Sequence, residues 1–203
     1  MITVVGSVNL DLVARLPRLP AAGETLTATG FGRVPGGKGA NQALAARRLG
    51  ADVTLVAAVG DDPLAPEALS LLHAEGVRLH GTQVTEDATT GLALIEVDDA
   101  GETTIAVVPG ANAELVVTAA DLAGADAVLT VLEVPPGAVA AAATLAPAGA
   151  FVAVNAAPAG PVPAEVLRRA DLVVVNRAEH ALVPGIERAR CVAVTLGAEG
   201  ALL

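Results

Sequence analysis

The chain has 203 residues, with 12 Lys and Arg against 22 Asp and Glu and a formal net charge of −10 at pH 7. That balance speaks against nucleic acid and anionic membranes, which are bound through Lys and Arg, and with Phe31 and Phe151 as the only aromatic residues there is no platform for stacking bases. The lone Cys191 excludes an intrachain disulfide, and a chain this long buries roughly 70% of its unfolded surface, enough for a core without staples.

Residues 1–203 are read as one domain. At the amino end, Met1 to Val8 is apolar but lacks a basic flank, and Asp11 follows at once, so no signal peptide and a cytoplasmic location are expected. Apolar, β-branched runs predict strands at Ile2 to Val8, Val53 to Val59, Val128 to Leu132, Phe151 to Val154, Leu172 to Val175 and Val192 to Leu196. Helical spacing lies between them, at Gln42 to Leu49 closed by Gly50 and at Leu64 to Glu75 closed by Gly76. This alternation predicts an α/β fold, a doubly wound and mainly parallel sheet with helices on both faces.

Two segments break the rhythm. Thr25 to Phe31 alternates like a half-buried strand, and Thr90 to Val97 with Thr103 to Val108 reads as a hairpin around Asp98-Asp99-Ala100-Gly101. They suggest a small β-sheet lid drawn from roughly residues 10–34 and 89–109. Residues 134–164 carry no charge, but Pro135, Pro136, Pro147, Pro158, Pro161 and Pro163 interrupt them, and a membrane span needs about 20 apolar residues in unbroken helix. The sequence ends at Ala201-Leu202-Leu203, which reads as the middle of a strand.

The strongest local signal is Gly36-Gly37-Lys38-Gly39-Ala40-Asn41. Glycines let a ligand approach the backbone, and the helix that follows is expected to present unpaired N–H groups at its start. A Walker-type phosphate loop is excluded, because Gly39 stands where the magnesium-binding hydroxyl belongs. The alternative is a plain glycine turn entering a helix; Lys38 and Asn41 favour ligand binding.

Asn9-Leu10-Asp11 follows the first strand. A carboxylate there can accept from two neighbouring sugar hydroxyls, although taken alone the residues favour an Asx-turn. Glu133 ends the run Ala127 to Leu132 at a strand terminus facing the expected crevice. Asn176 and Glu179 are spaced as a capping box, with a magnesium role left open for the carboxylate. Thr195-Leu196-Gly197-Ala198-Glu199-Gly200 is either a turn or a backbone against which a nucleotide lies. His73, His80 and His180 are scattered, which disfavours a zinc site or hydrolase triad.

Taken in order, Gly6-Ser7-Val8-Asn9-Leu10-Asp11, Gly23-Glu24-Thr25, the Gly36 to Ala43 run, Gly60-Asp61-Asp62 and Pro109-Gly110-Ala111-Asn112 resemble the ribokinase-like (PfkB) family of ATP-dependent sugar and nucleoside kinases. Within it, the pattern is more similar to members acting on ribose than to those acting on fructose or adenosine. The resemblance spans Val4 to Leu203. It implies phosphorylation of a sugar hydroxymethyl group, foremost D-ribose to D-ribose 5-phosphate in D-ribose catabolism, and a homodimer formed through the lid.

The resemblance also implies a sugar-binding set of Asn9, Asp11, Gly36, Gly37, Lys38, Gly39, Asn41 and Glu133. It places Asn176, Thr195, Gly197 and Gly200 at a nucleotide site for ATP, with Glu179 acting on Mg2+ indirectly, through magnesium and phosphate. Departures are Ala65, where the family usually has glycine, and a shortened stretch from Val183 to Cys191. No Gly-Ala-Gly-Asp run, the family's source of base and anion hole, occurs in the sequence. The expectation is therefore an incomplete carboxyl-terminal part, lacking the last strands and helices, the K+ site and any catalytic residue, and a chain inactive alone. Alternatives are a non-catalytic sugar-binding protein and a family kinase for another sugar or nucleoside.

Overall fold

A computed structural model describes residues 1–203. The strands are β1 (Ile2–Val5), β2 (Asn9–Leu16), β3 (Gly30–Gly36), β4 (Val53–Gly60), β5 (Arg78–Thr85), β6 (Gly91–Asp98), β7 (Thr103–Val108), β8 (Ala127–Val131), β9 (Phe151–Asn155), β10 (Leu172–Asn176), β11 (Val192–Thr195) and β12 (Ala201–Leu202). The helices are α1 (Lys38–Arg48), α2 (Leu64–Ala68), α3 (Ser70–Ala74), α4 (Pro136–Thr144), α5 (Ala164–Arg169) and α6 (Arg177–Leu182). No helix is long and apolar enough to cross a membrane.

Eight strands form one sheet in the order β12-β11-β10-β9-β8-β1-β4-β5, parallel except for β12. Both of its faces are covered, because successive side chains of a strand point to opposite sides. Val4 belongs to a cluster with Leu55, Ala43 and Leu72 under α1 and α3, while Val5 joins Val128, Val152 and Val173 under α4 and α5. This is the mainly parallel, doubly wound α/β architecture the alternation predicts.

The second sheet has the order β3-β2-β6-β7. The hairpin of β6 and β7 is present, with Ala93 opposite Val107 and Ile95 opposite Ile105. Two expectations fail here. Asn9 and Asp11 do not make a turn: both lie in β2, which pairs in parallel with β6, Asp11 opposite Ala93. The parallel partner lies some eighty residues downstream, so local composition favoured the turn. Thr25 to Phe31 is not a strand either. Residues 21–29 form an exposed connection, and β3 begins only at Gly30, where pairing with Arg15 becomes available.

Two further boundaries move. β1 stops at Val5 instead of Val8, because Gly6 turns against Gly39 and Val8 pairs with a side chain instead of a strand. The expected helix Leu64 to Glu75 divides into α2 and α3 at Leu69. The salt bridge between Arg33 of β3 and Glu67 of α2 ties the small sheet to the large one.

Candidate active site

The carboxyl ends of β1 and β8 are adjacent in the sheet, and this is where parallel α/β sheets place their crevice. The chain leaving β1 carries Ser7 and Asn9, and the chain leaving β8 carries Glu133. Gly37, with φ of +92°, turns β3 into α1 beneath them. A Cβ on Gly37 would lie 2.7 Å from the Ser7 carbonyl oxygen, so only glycine lets the two segments meet.

Glu133 joins them. Its Oε2 accepts from the Ser7 hydroxyl at 2.5 Å and from the Lys38 amide at 3.0 Å, and its Oε1 lies 3.6 Å from the Lys38 ammonium. The Gly39 amide donates to Ser7 Oγ at 3.3 Å and the Ala40 amide to the Ser7 carbonyl at 2.9 Å. The start of α1 thus has protein partners for its first three N–H groups. The expected unpaired donors are absent, because Ser7 and Glu133 occupy the place an anion would take.

Above this floor is a cavity of about 760 Å³ lined by Asn9, Asp11, Gly37, Lys38, Asn41 and Glu133. Its roof is one face of the small sheet, Ala93 and Ile95 of β6 with Ile105 and Val107 of β7. Asp11 lines the cavity without a full set of partners in the protein. Its carboxylate lies across Gly36, where a Cβ would collide with it, and its Oδ1 is buried without a hydrogen-bond partner. Burial raises the Asp11 pKa above the ordinary carboxylate value, Glu133 adds to the rise, and Lys38 opposes it.

Of the eight residues in the expected sugar-binding set, Asn9, Asp11, Gly37, Lys38, Asn41 and Glu133 line this cavity. Gly36 lies beneath Asp11, and Gly39 packs against Gly6, with the position of a Cβ only 2.5 Å from the Gly6 carbonyl carbon. Sequence reasoning missed Ser7, the apolar roof and Asn112. The last is 2% exposed and bonded to Val8 and Asn9. Its signal was present in Pro109-Gly110-Ala111-Asn112, but nothing local shows what that amide meets.

The other candidate residues gather at the ends of β10 and β11, where Asn176 is opposite Thr195. A shallow cavity of about 380 Å³ there is lined by Asn176, Arg177, Ala178, Thr195, Leu196 and Glu199. Gly197 and Gly200 have φ of +61° and +91°, with open space where a Cβ would stand. Asn176 and Glu179 form the capping box: the Glu179 amide donates to Asn176 Oδ1 at 2.8 Å and the Asn176 amide to Glu179 Oε2 at 2.7 Å. No three His, Cys, Asp or Glu side chains gather to hold a metal by themselves, and one oxygen of Glu179 is engaged at the helix start.

A mainly parallel sheet with a polar cavity at its strand ends, roofed by a separate small sheet, is a doubly wound α/β fold with a ligand-sized site where such folds place it. The family model "pfkB family carbohydrate kinase" matches residues 1–203, and the chain belongs to that family. It is similar to the ribokinase of Bacillus subtilis, 46% identical over 117 residues, a match covering 56% of this chain and 39% of that protein. The chain therefore matches about two fifths of that relative's length. Among solved structures, Arabidopsis thaliana ribokinase complexed with ribose and ATP superposes with a TM-score of 0.87 at 27% identity, over 98% of this chain and 73% of that one. Thermotoga maritima ribokinase does so with a TM-score of 0.86 at 28% identity, over 99% and 73%.

Proposed function

We propose that the cavity beneath the small sheet binds D-ribose, and that the chain belongs to a cytoplasmic kinase converting D-ribose and ATP to D-ribose 5-phosphate. The observation that carries this reading is the Asp11 carboxylate, which lines a cavity with Asn9, Lys38 and Asn41 and whose buried Oδ1 has no hydrogen-bond partner within the protein. A carboxylate so placed accepts from two neighbouring hydroxyls. The Asn9 amide and the Lys38 ammonium supply donors on either side, and Gly37 admits the sugar close to the backbone. Glu133 holds the floor together through Ser7 and Lys38. The apolar roof excludes water from the sugar, and its exposed Ile105 and Val107 fit coverage by a second copy of the chain in a homodimer.

ATP would supply the phosphoryl group from the side of Asn176, Thr195, Gly197 and Gly200, whose open backbone turn leaves room for a nucleotide. Glu179 would act on Mg2+ only indirectly, through water and the nucleotide's phosphates, and no step is routed through it. The reaction also needs a base for the alcohol proton and donors for the transferring phosphoryl. We assign neither to any residue of 1–203, which contain no Gly-Ala-Gly-Asp run. Calorimetric titration of the chain with D-ribose, D-fructose and adenosine tests the reading. Preferential ribose binding supports it, and tighter binding of either competitor rejects the ribose assignment. Magnesium-dependent transfer from ATP to ribose by residues 1–203 at ordinary kinase rates would show that the base lies within them.

A further inference from the structure

We propose that Asn112 fixes the direction of the Asn9 amide, so that Asn9 meets the cavity as a hydrogen-bond donor and the ligand must present an acceptor there. The argument starts from groups that cannot exchange roles. The Val8 amide donates to Asn112 Oδ1 at 2.9 Å, and Asn112 Nδ2 donates to the Val8 carbonyl at 3.0 Å. The side chain pairs with Val8 as a neighbouring peptide would, and a backbone N–H and C=O leave an amide only one orientation.

The second hydrogen of Asn112 Nδ2 then goes to Asn9 Oδ1, 2.9 Å away. This uses the oxygen of Asn9. Its Nδ2, which donates to no protein atom, is left for the cavity that Asn9 lines. Both residues are nearly inaccessible, Asn112 at 2% and Asn9 at 4%, so water does not compete for these bonds.

Gly91 makes the arrangement possible. Its φ is not left-handed, yet a Cβ at that position would collide with both Asn112 Nδ2 and Asn9 Oδ1. The glycine is there for room, and the room is filled by the two amides. Beside the resulting fixed donor stands an acceptor, the Asp11 carboxylate, which lines the same cavity and whose Oδ1 has no partner in the protein. The pair matches a polyol whose hydroxyls accept from one side chain and donate to the other. Asn112 is thus a positioning residue, acting through Asn9. Its choice of ligand rests on the sugar-binding reading; the amide direction does not.

Two variants and two readouts test this. In Asn112→Asp the introduced carboxylate cannot donate, so Asn9 must rotate to donate to it and turn its oxygen to the cavity. The Asn9 side-chain NH2 signals should shift by NMR and gain protection from exchange, and D-ribose affinity by calorimetry should fall about tenfold or more. Asn9→Asp presents an acceptor to the cavity without touching the Val8 pairing, and should lose a similar factor even if Asn112→Asp does not fold. An unchanged Asn9 amide in Asn112→Asp, or ribose affinity within about twofold of the parent in Asn9→Asp, would overturn the proposal. Rotation of the amide in a protein whose parent form binds no ribose would confirm the amide direction and reject the sugar reading instead.

Discussion

Around Gly6, Gly37 and Gly39 backbone packs on backbone so closely that a Cβ has no place, whereas around Gly197 and Gly200 a Cβ meets nothing within 4 Å. At the first site every donor at the start of α1 is satisfied by a residue distant in sequence, Glu133 or Ser7. At the second, the start of α6 is satisfied by its own capping box. The floor of the larger cavity is held by long-range contacts that are in place without a ligand. The β10–β11 side is built from local turns and is open. Pre-formed order suits a site that must recognise a ligand, because fixed donors and acceptors lower the cost of ordering the site on binding.

The contrast is broken most severely at its glycines. Gly39→Ala sets a methyl 2.5 Å from the Gly6 carbonyl carbon and 2.6 Å from the Ser7 nitrogen, atoms that cannot move without moving β1. A loss of about 3 kcal/mol or more in urea denaturation is expected, at the upper end of overpacking penalties. Gly197→Ala has space and meets only the left-handed backbone penalty, about 1 kcal/mol. Equal losses at the two glycines would remove the distinction between a sealed site and an open one.

The polar anchors give the next effect. Glu133→Ala strands the Ser7 hydroxyl and the Lys38 amide in surroundings where the Glu133 side chain is 13% exposed. Charge-assisted bonds of this kind contribute about 1.5–3 kcal/mol each, so a loss of about 2 kcal/mol or more is expected. Asn176→Ala removes an exposed cap for about 1 kcal/mol. Both are read by denaturant midpoint, and a larger loss at Asn176 would reverse the ranking of the two regions.

What was legible in the sequence follows the same division. The capping box of Asn176 and Glu179 is a three-residue pattern and was read directly; so was the parallel sheet, from strands and helices that each announce themselves over a few residues. The family pattern points to Asn9 and Asp11 as site residues, yet their local composition favours a turn they do not make. β2 exists only because β6 lies beside it, and Gly91, which admits the Asn9–Asn112 pair, carries no local sign of that duty. The start of α1 was misread for the same reason: its donors look free until Glu133 is brought 95 positions along the chain to Lys38.

Two carboxylates sharpen the comparison through pH. The Asp11 pKa is raised by burial first and Glu133 second, against the pull of Lys38. A raised acid pKa means that the folded chain holds the proton more tightly, so this contribution to stability is present below the ordinary carboxylate value and is lost as pH rises through the raised one. The Asp62 pKa is lowered: burial opposes, but the Thr90 amide and hydroxyl and the Leu64 and Ala65 amides prevail. Its contribution is present above the ordinary value and is lost as pH falls through the lowered one. Denaturation between about pH 3 and pH 8 should show Asp11→Asn more stable than the parent at neutral pH yet weaker toward ribose. Asp62→Asn should be less stable at neutral pH, with a flatter acid limb. Opposite signs at one pH would separate a carboxylate kept for a ligand from one kept for the fold, and a destabilising Asp11→Asn would remove the case for an unpartnered acceptor.

The smallest structural effect is expected at Asn41, which lines the larger cavity on the first turn of α1 but is exposed. Its side chain makes no hydrogen bond within the protein, and its backbone amide donates to the Gly37 carbonyl at 2.9 Å. Asn41→Ala leaves that bond in place and exchanges one exposed helical residue for a better helix former, so stability should change by less than about 0.5 kcal/mol. If the side chain reaches the sugar, ribose affinity should still fall by a factor of about three to ten, the worth of one neutral hydrogen bond. Unchanged affinity would confine the polar recognition to Asn9, Asp11 and Lys38. A loss of stability matching the loss of affinity would show that the hydrogen-bonded floor around Ser7 and Glu133 extends into the first turn of α1.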